Sequence, residues 1–140
     1  MVVIDASVII KWLIADTAAE RDTEQATELM RRVLGGDESI VQPVHWLTEV
    51  GAVLARLSPE TAGDDLEMLH GLELPVRDDP LISRRACQLA IDLNQHLFDT
   101  LYHAVALESD QALLITADER YLRAAKRYSA VVPLSEWCGR

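Results

Sequence analysis

Apolar residues come in two rhythms along this chain. Short continuous runs, bounded by polar or turn-forming residues, alternate with longer stretches whose apolar positions recur every three or four residues. The first run, Val2-Val3-Ile4, predicts a strand over residues 2–5 that is buried on both faces. Similar short runs predict strands at 39–42, 74–77, 112–116 and 130–134. Between them the helical spacing predicts helices over 6–15, roughly 18–34, 43–57, 58–72, 80 to about 94, 97–109 and 118–128.

The punctuation agrees with this division. Asp16 and Thr17 offer a cap for the second helix, and Gly35-Gly36 ends it. Pro43 suits the first position of the third helix, ahead of the stripe Leu47, Val50, Leu54 and Leu57. Ser58-Pro59 offers the next start, with Ser58 as cap and Leu66, Leu69 and Leu72 as the stripe. Asp79-Pro80 opens the fifth helix. Strands alternating with helices imply an α/β fold with a mainly parallel sheet covered on both faces. Sites in such sheets form beyond the carboxyl ends of the strands, where the strand order reverses.

Four acidic residues interrupt the pattern where an acid is awkward. Asp5 ends the first apolar run, and Asp118 follows the run Ala112-Leu113-Leu114-Ile115-Thr116. Glu49 lies at the flank of the stripe in an otherwise apolar helix. Asp99 opens a segment that is apolar nearly all round. An acid in such surroundings needs a partner. Taken singly, Asp5 and Asp118 read equally well as helix caps, and Asp99 as a first-turn acid favoured by the helix dipole. Taken together, two carboxylates about 5 Å apart repel by about 3 kcal/mol at an effective dielectric near 20. Four that converge would call for a proton or a cation. A hard divalent ion such as Mg²⁺ or Mn²⁺, which prefers oxygen ligands, is the fitting partner, and phosphodiester cleavage the fitting chemistry.

Composition narrows the field. At 140 residues with 49% apolar content, the chain reads as a single domain with a substantial core. A formal net charge of −10 argues against a simple nucleic-acid-binding module but not against an enzyme that meets phosphate through metal ions. The charge also suits a basic partner. Cys87 and Cys138 form no CxxC pair, which points to a reducing compartment, and Cys87 reads as a small core residue. The amino terminus lacks a basic leader, and Asp5 and Lys11 break its apolar stretch, so it reads as part of the mature fold. No segment is long enough to span a membrane, and the expected location is cytoplasmic.

Four segments in order carry a resemblance. These are Val2-Val3-Ile4-Asp5-Ala6-Ser7-Val8-Ile9-Ile10-Lys11-Trp12, Pro43-Val44-His45-Trp46-Leu47-Thr48-Glu49-Val50, Asp99-Thr100-Leu101-Tyr102-His103-Ala104-Val105-Ala106, and Thr116-Ala117-Asp118-Glu119-Arg120-Tyr121. The chain resembles the PIN domain family over nearly its whole length, in particular the VapC-type toxins. The resemblance implies one domain over residues 1–140, a three-layer α/β/α fold, and five parallel strands in the order 3-2-1-4-5. It implies a Mg²⁺- or Mn²⁺-dependent endoribonuclease, a toxin paired with a VapB-type antitoxin and acting as a homodimer. By position, Asp5 and Asp99 would hold the metal directly. Glu49 and Asp118 would complete the acidic pocket, directly or through water, and Ser7 and Thr116 would orient the acids. The residue types fit one ion or two. His103 lies outside this set.

Arg120, Arg123 and Arg127, with Lys126 adjacent, read either as a basic stripe for RNA beside the site or as a solvated helix face. Lys11, Arg84 and Arg85 are weaker candidates. Three other readings stay open: a PIN-like binding protein without catalysis; a phosphatase with Asp5 as nucleophile, whose pattern wants an acid where Ser7 stands; and a zinc site using His45 and Glu49.

Overall fold

In the computed structural model, residues 1–14 and 22–139 are described. Five short parallel strands alternate with seven helices among them: β1 (Val2–Ile4), α1 (Ala6–Leu13), α2 (Thr23–Gly35), β2 (Gln42–Pro43), α3 (Trp46–Leu57), α4 (Ala62–Gly71), β3 (Val76–Arg77), α5 (Pro80–Leu93), α6 (Leu97–Leu107), β4 (Leu113–Thr116), α7 (Glu119–Ala124) and β5 (Val131–Pro133), with a final 3₁₀ turn at Leu134–Glu136. The α/β class is as the sequence predicts. The proposed caps at Asp16 and Thr17 lie outside the described residues; α1 ends at Leu13 and α2 begins at Thr23.

The strands form two ladders, β1-β4-β5 and β2-β3, all pairs parallel. A single parallel bridge, Val2 to Ile40, joins them. Across this seam the order runs β3-β2-β1-β4-β5. All three β1 residues are buried, so both faces of the central strand are covered. The helix α6 lies across β1, β2 and β4, with α5 packed on it; α1 meets β4, α2 and α3.

The seam has a definite chemistry. The Val2 N–H donates to the Ser39 carbonyl at 2.8 Å, and the Val41 N–H donates to the Val2 carbonyl at 3.0 Å. In a parallel ladder the next rung would use the N–H of residue 43 to reach the Ile4 carbonyl, and residue 43 is proline. The Gln42 side chain takes over the rung. Its Nε2 donates to the Ile4 carbonyl at 2.9 Å, and its Oε1 accepts from the Ile4 N–H at 2.8 Å. Gln42 is fully buried.

Several local expectations are corrected. Pro43 belongs to β2, and α3 begins three residues later at Trp46. Ser58 is the last cap of α3 rather than the first of α4, its carbonyl accepting from the Ala62 N–H at 3.0 Å. Cys87 and Cys138 are exposed free thiols. The buried stripe of α5 is Ile82, Ala86 and Leu89, and Cys87 falls one residue past it, on the outer face. Other signals read correctly: Pro80 opens α5, and the left-handed residues Gly36 and Asn94 close α2 and α5.

Replacing Gln42 with Met keeps the volume but leaves the Ile4 N–H and carbonyl buried and unpaired. We expect a loss of about 3 kcal/mol in urea unfolding. A variant as stable as wild type would show that the seam does not depend on the amide.

Candidate active site

Asp5 sits one residue beyond the carboxyl end of β1, at the point where the strand order reverses. Its N–H continues the ladder to the Ile115 carbonyl at 3.1 Å, which sets it beside the end of β4. The expectation of a simple helix cap fails here, since the carboxylate makes no capping bond to α1. It is bound from the side instead. Thr116 Oγ1 donates to Asp5 Oδ2 at 2.8 Å, and Ser7 Oγ donates to the same oxygen at 2.5 Å. Each hydroxyl in turn accepts a backbone N–H, from Asp118 at 3.0 Å and from Ala117 at 3.1 Å. The two hydroxyls thus lock the turn after β4 to Asp5. Both bonds fall on Oδ2, so Oδ1 takes no share of them.

Asp118 does cap its helix: Oδ1 accepts from the Arg120 and Tyr121 N–H groups. Asp99 stands in the first turn of α6, and Glu49 in the first turn of α3. All four acids line one cleft of about 360 Å³, together with Ser7 and Lys11. Thr116 lines the adjoining crevice with Asp5, Asp99 and Asp118.

The electrostatics follow from this crowding. Burial pushes the Asp5 carboxyl up from 3.8 to about 6; the Ser7 and Thr116 hydrogen bonds pull it down, and Glu49 and Asp99 push it further up. Asp99 is also raised, by burial first and then by Glu49 and Asp118, with His96 and His45 opposing. Among the described residues, no three His, Cys, Asp or Glu side chains form a group set to hold an ion jointly. The donor set still fits a hard divalent cation. The acids offer oxygen ligands only, Glu49 Oε2 is buried without a hydrogen-bond partner, and an ion such as Mg²⁺ keeps most of its waters while taking one or two carboxylates.

The other candidates fare unevenly. Arg120 and Arg123 are exposed on α7, but the helix ends at Ala124, so Arg127 lies in the turn beyond and the three do not share one helical stripe. A six-residue helix with its last turn unwound is the cause. Arg123 faces Glu119 at 3.9 Å, and Arg85 is engaged by Glu108. His103 is a fully buried structural residue: Nε2 donates to the Ser129 carbonyl at 2.7 Å, and Nδ1 lies 2.9 Å from the Tyr121 hydroxyl. The zinc reading of His45 and Glu49 finds no third ligand: among the described residues no three His, Cys, Asp or Glu side chains are grouped to hold an ion, and His45 Nε2 donates to the Phe98 carbonyl at 2.8 Å. Sequence reasoning missed Gln42 and the Tyr102 hydroxyl. The latter is buried facing Glu49 and the Ala6 backbone without a well-directed bond to either, and it is raised well above 10 by burial and by Asp5 and Glu49.

Comparison with known proteins gives the family and the fold. The family model described as "PIN domain" matches residues 2–127. No curated protein sequence matches significantly. Among solved structures, PAE2754 from Pyrobaculum aerophilum is similar in fold, with a TM-score of 0.64 and 19% identity over 96% of this chain and 89% of that one.

A raised carboxyl pKa has a definite sign. Between about pH 4 and 6 the folded state holds a proton on Asp5 that the unfolded chain has released, so metal-free stability falls as pH rises through that window. Asp5→Asn removes this dependence. Its stability relative to wild type should improve by about 3 kcal/mol between pH 4 and pH 7 in metal-free urea unfolding. A difference that does not vary with pH would refute the raised value.

Proposed function

The chain belongs to the PIN domain family, whose members are generally nucleases, and on that premise we propose that it is a Mg²⁺- or Mn²⁺-dependent endoribonuclease. The observation that carries the reading is the meeting of Asp5, Glu49, Asp99 and Asp118 at a single cleft at the switch point of the sheet. Asp5 and Asp99 would hold the cation directly, and Glu49 and Asp118 would complete its surroundings directly or through water. When bound, the ion supplies a water of lowered pKa and screens the charge on the phosphate oxygens.

The chain's own groups do the rest. Ser7 and Thr116 hold the Asp5 carboxylate in one orientation and stabilise its charged form against burial. Asp118 is held at the cleft by its cap bonds from the Arg120 and Tyr121 N–H groups. Lys11 lines the cleft with a positive charge that favours an incoming phosphate. Arg120 and Arg123, exposed just beyond Asp118, and Arg127 past the helix end would meet flanking phosphates. A phosphatase using Asp5 as nucleophile is poorly served here. Ser7 stands where that chemistry wants a proton-donating acid, and its hydroxyl engages Asp5. A binding protein without catalysis would have no use for acids held at such electrostatic cost.

Cleavage of RNA by purified protein should require Mg²⁺ or Mn²⁺ and stop in EDTA. Asp5→Asn and Asp99→Asn should each lower the rate by at least about 100-fold. Undiminished cleavage in EDTA would end the metal reading.

The motif resemblance to VapC-type toxins extends the proposal: the protein is the toxin of a toxin–antitoxin pair, working in the cytoplasm as a homodimer and silenced by a VapB-type antitoxin. No helix among the described residues is long and apolar enough to cross a membrane, which fits such a role. Expression alone should halt host growth, and co-expression of the adjacent small gene product should restore growth and co-purify. A protein that cleaves RNA, is harmless alone and binds no such product would remain a nuclease and lose the toxin role.

A further inference from the structure

His45, one helical turn before Glu49, has no task in the chemistry above. It stands just before α3 with its side chain 11% exposed, and its Nε2 approaches two groups at once. The first is the Phe98 carbonyl at 2.8 Å. A carbonyl only accepts, so Nε2 carries a hydrogen there. This carbonyl belongs to the peptide that leads into Asp99. The second is Glu49 Oε2 at 3.0 Å, one helical turn along α3. Glu49 Oε2 nevertheless has no directed hydrogen bond, because the Nε2 hydrogen is aimed at Phe98. The imidazole ring is wedged between two rings of α6, with centroids 5.1 Å from Phe98 and 4.9 Å from Tyr102.

One nitrogen therefore ties the helix bearing Glu49 to the helix bearing Asp99. The two acids sit on elements that share no strand pairing, and they repel each other. Without a tie, that repulsion would widen the cleft between them. Taking the metal-dependent nuclease reading as its basis, we propose that His45 is a positioning residue: through its hydrogen bond to the Phe98 carbonyl it fixes the separation of Glu49 and Asp99 at the value a divalent cation needs. His45 touches neither substrate nor metal in this role.

Two variants divide the hydrogen bond from the packing. His45→Phe keeps a ring against Phe98 and Tyr102 but has no donor. His45→Gln loses the ring and keeps an amide donor of similar reach. Mn²⁺ binding is read by calorimetry, and turnover on single-stranded RNA under saturating Mn²⁺ gives kcat and KM, with metal-free melting as the check on folding. The His45→Phe protein should bind Mn²⁺ about tenfold more weakly or worse and lose kcat to a similar degree, with KM for RNA within about twofold of wild type. The His45→Gln protein should recover most of both. Should His45→Phe fail to fold, the smaller donor-free His45→Leu serves in its place. A folded donor-free variant that binds Mn²⁺ and turns over like wild type overturns the proposal, and so does loss in His45→Gln with retention in His45→Phe. Wild-type protein that neither binds Mn²⁺ nor cleaves RNA overturns the nuclease reading, and this proposal falls with it.

Discussion

A carboxylate at the end of a fully buried strand has to be satisfied by something, and Asp5 is satisfied by Thr116, 111 residues away in the chain. That bond depends on β1 and β4 being neighbours and parallel, with Ile4 level with Ile115. It also depends on the turn after β4, whose N–H groups orient the two hydroxyls that reach Asp5. The same turn delivers Asp118 to the cleft. Strand pairing, turn geometry and acid placement are thus one arrangement: a shift of register by one residue would turn Thr116 away from Asp5 and leave the charge buried alone.

The arrangement is held against its own electrostatics. Burial and neighbouring acids raise both Asp5 and Asp99, while only hydroxyls and imidazoles oppose the rise. A protein selected for stability alone would place apolar groups or a lysine there. Strain of this kind concentrates where function requires it, and the surrounding core bears the cost. Here the core is well suited to do so, since β1, most of α6 and all of β4 after Leu113 are buried. Gln42 shows the same economy on the other side of β1. The chain places a proline where a ladder N–H is needed, then repairs the rung with a side chain two residues past the bridge.

Much of this was legible in the sequence because it is local. Apolar runs marked β1, β4 and β5, the strands expected at 39–42 and 74–77 overlap β2 at Gln42 and β3 at Val76-Arg77, and Asp79-Pro80 and Gly35-Gly36 marked helix ends through their own backbone preferences. The four acids stood out because each broke an apolar pattern, and the structure gathers them at one cleft. What misled was local chemistry overruled by pairing. Pro43 has the φ of a helix start, yet it sits in a strand because its neighbours pair with β3. Ser58 is a good cap by type, yet the chain turns once more before α4. Cys87 is small and apolar, but the face of α5 is decided by Ile82, Ala86 and Leu89. The stripe Arg120, Arg123, Arg127 assumed a helix of three turns, and α7 unwinds after six residues. The roles of Gln42 and His45 were beyond reach, since each is defined by a partner 38 or 53 residues distant.

The charge balance bears on how the proposed enzyme would meet its substrate. A chain of net charge −10, with four acids in its cleft, repels a phosphodiester on approach. On the proposed reading, a divalent ion in the cleft offsets two of those charges and gives the phosphate oxygens a local attraction. RNA bound at the cleft in turn adds ligands for the ion. Metal and RNA would then each raise the other's affinity by the same factor, as linkage requires. On that reading, the acids that make the cleft electrostatically costly are also the groups that would make cation and RNA binding cooperative.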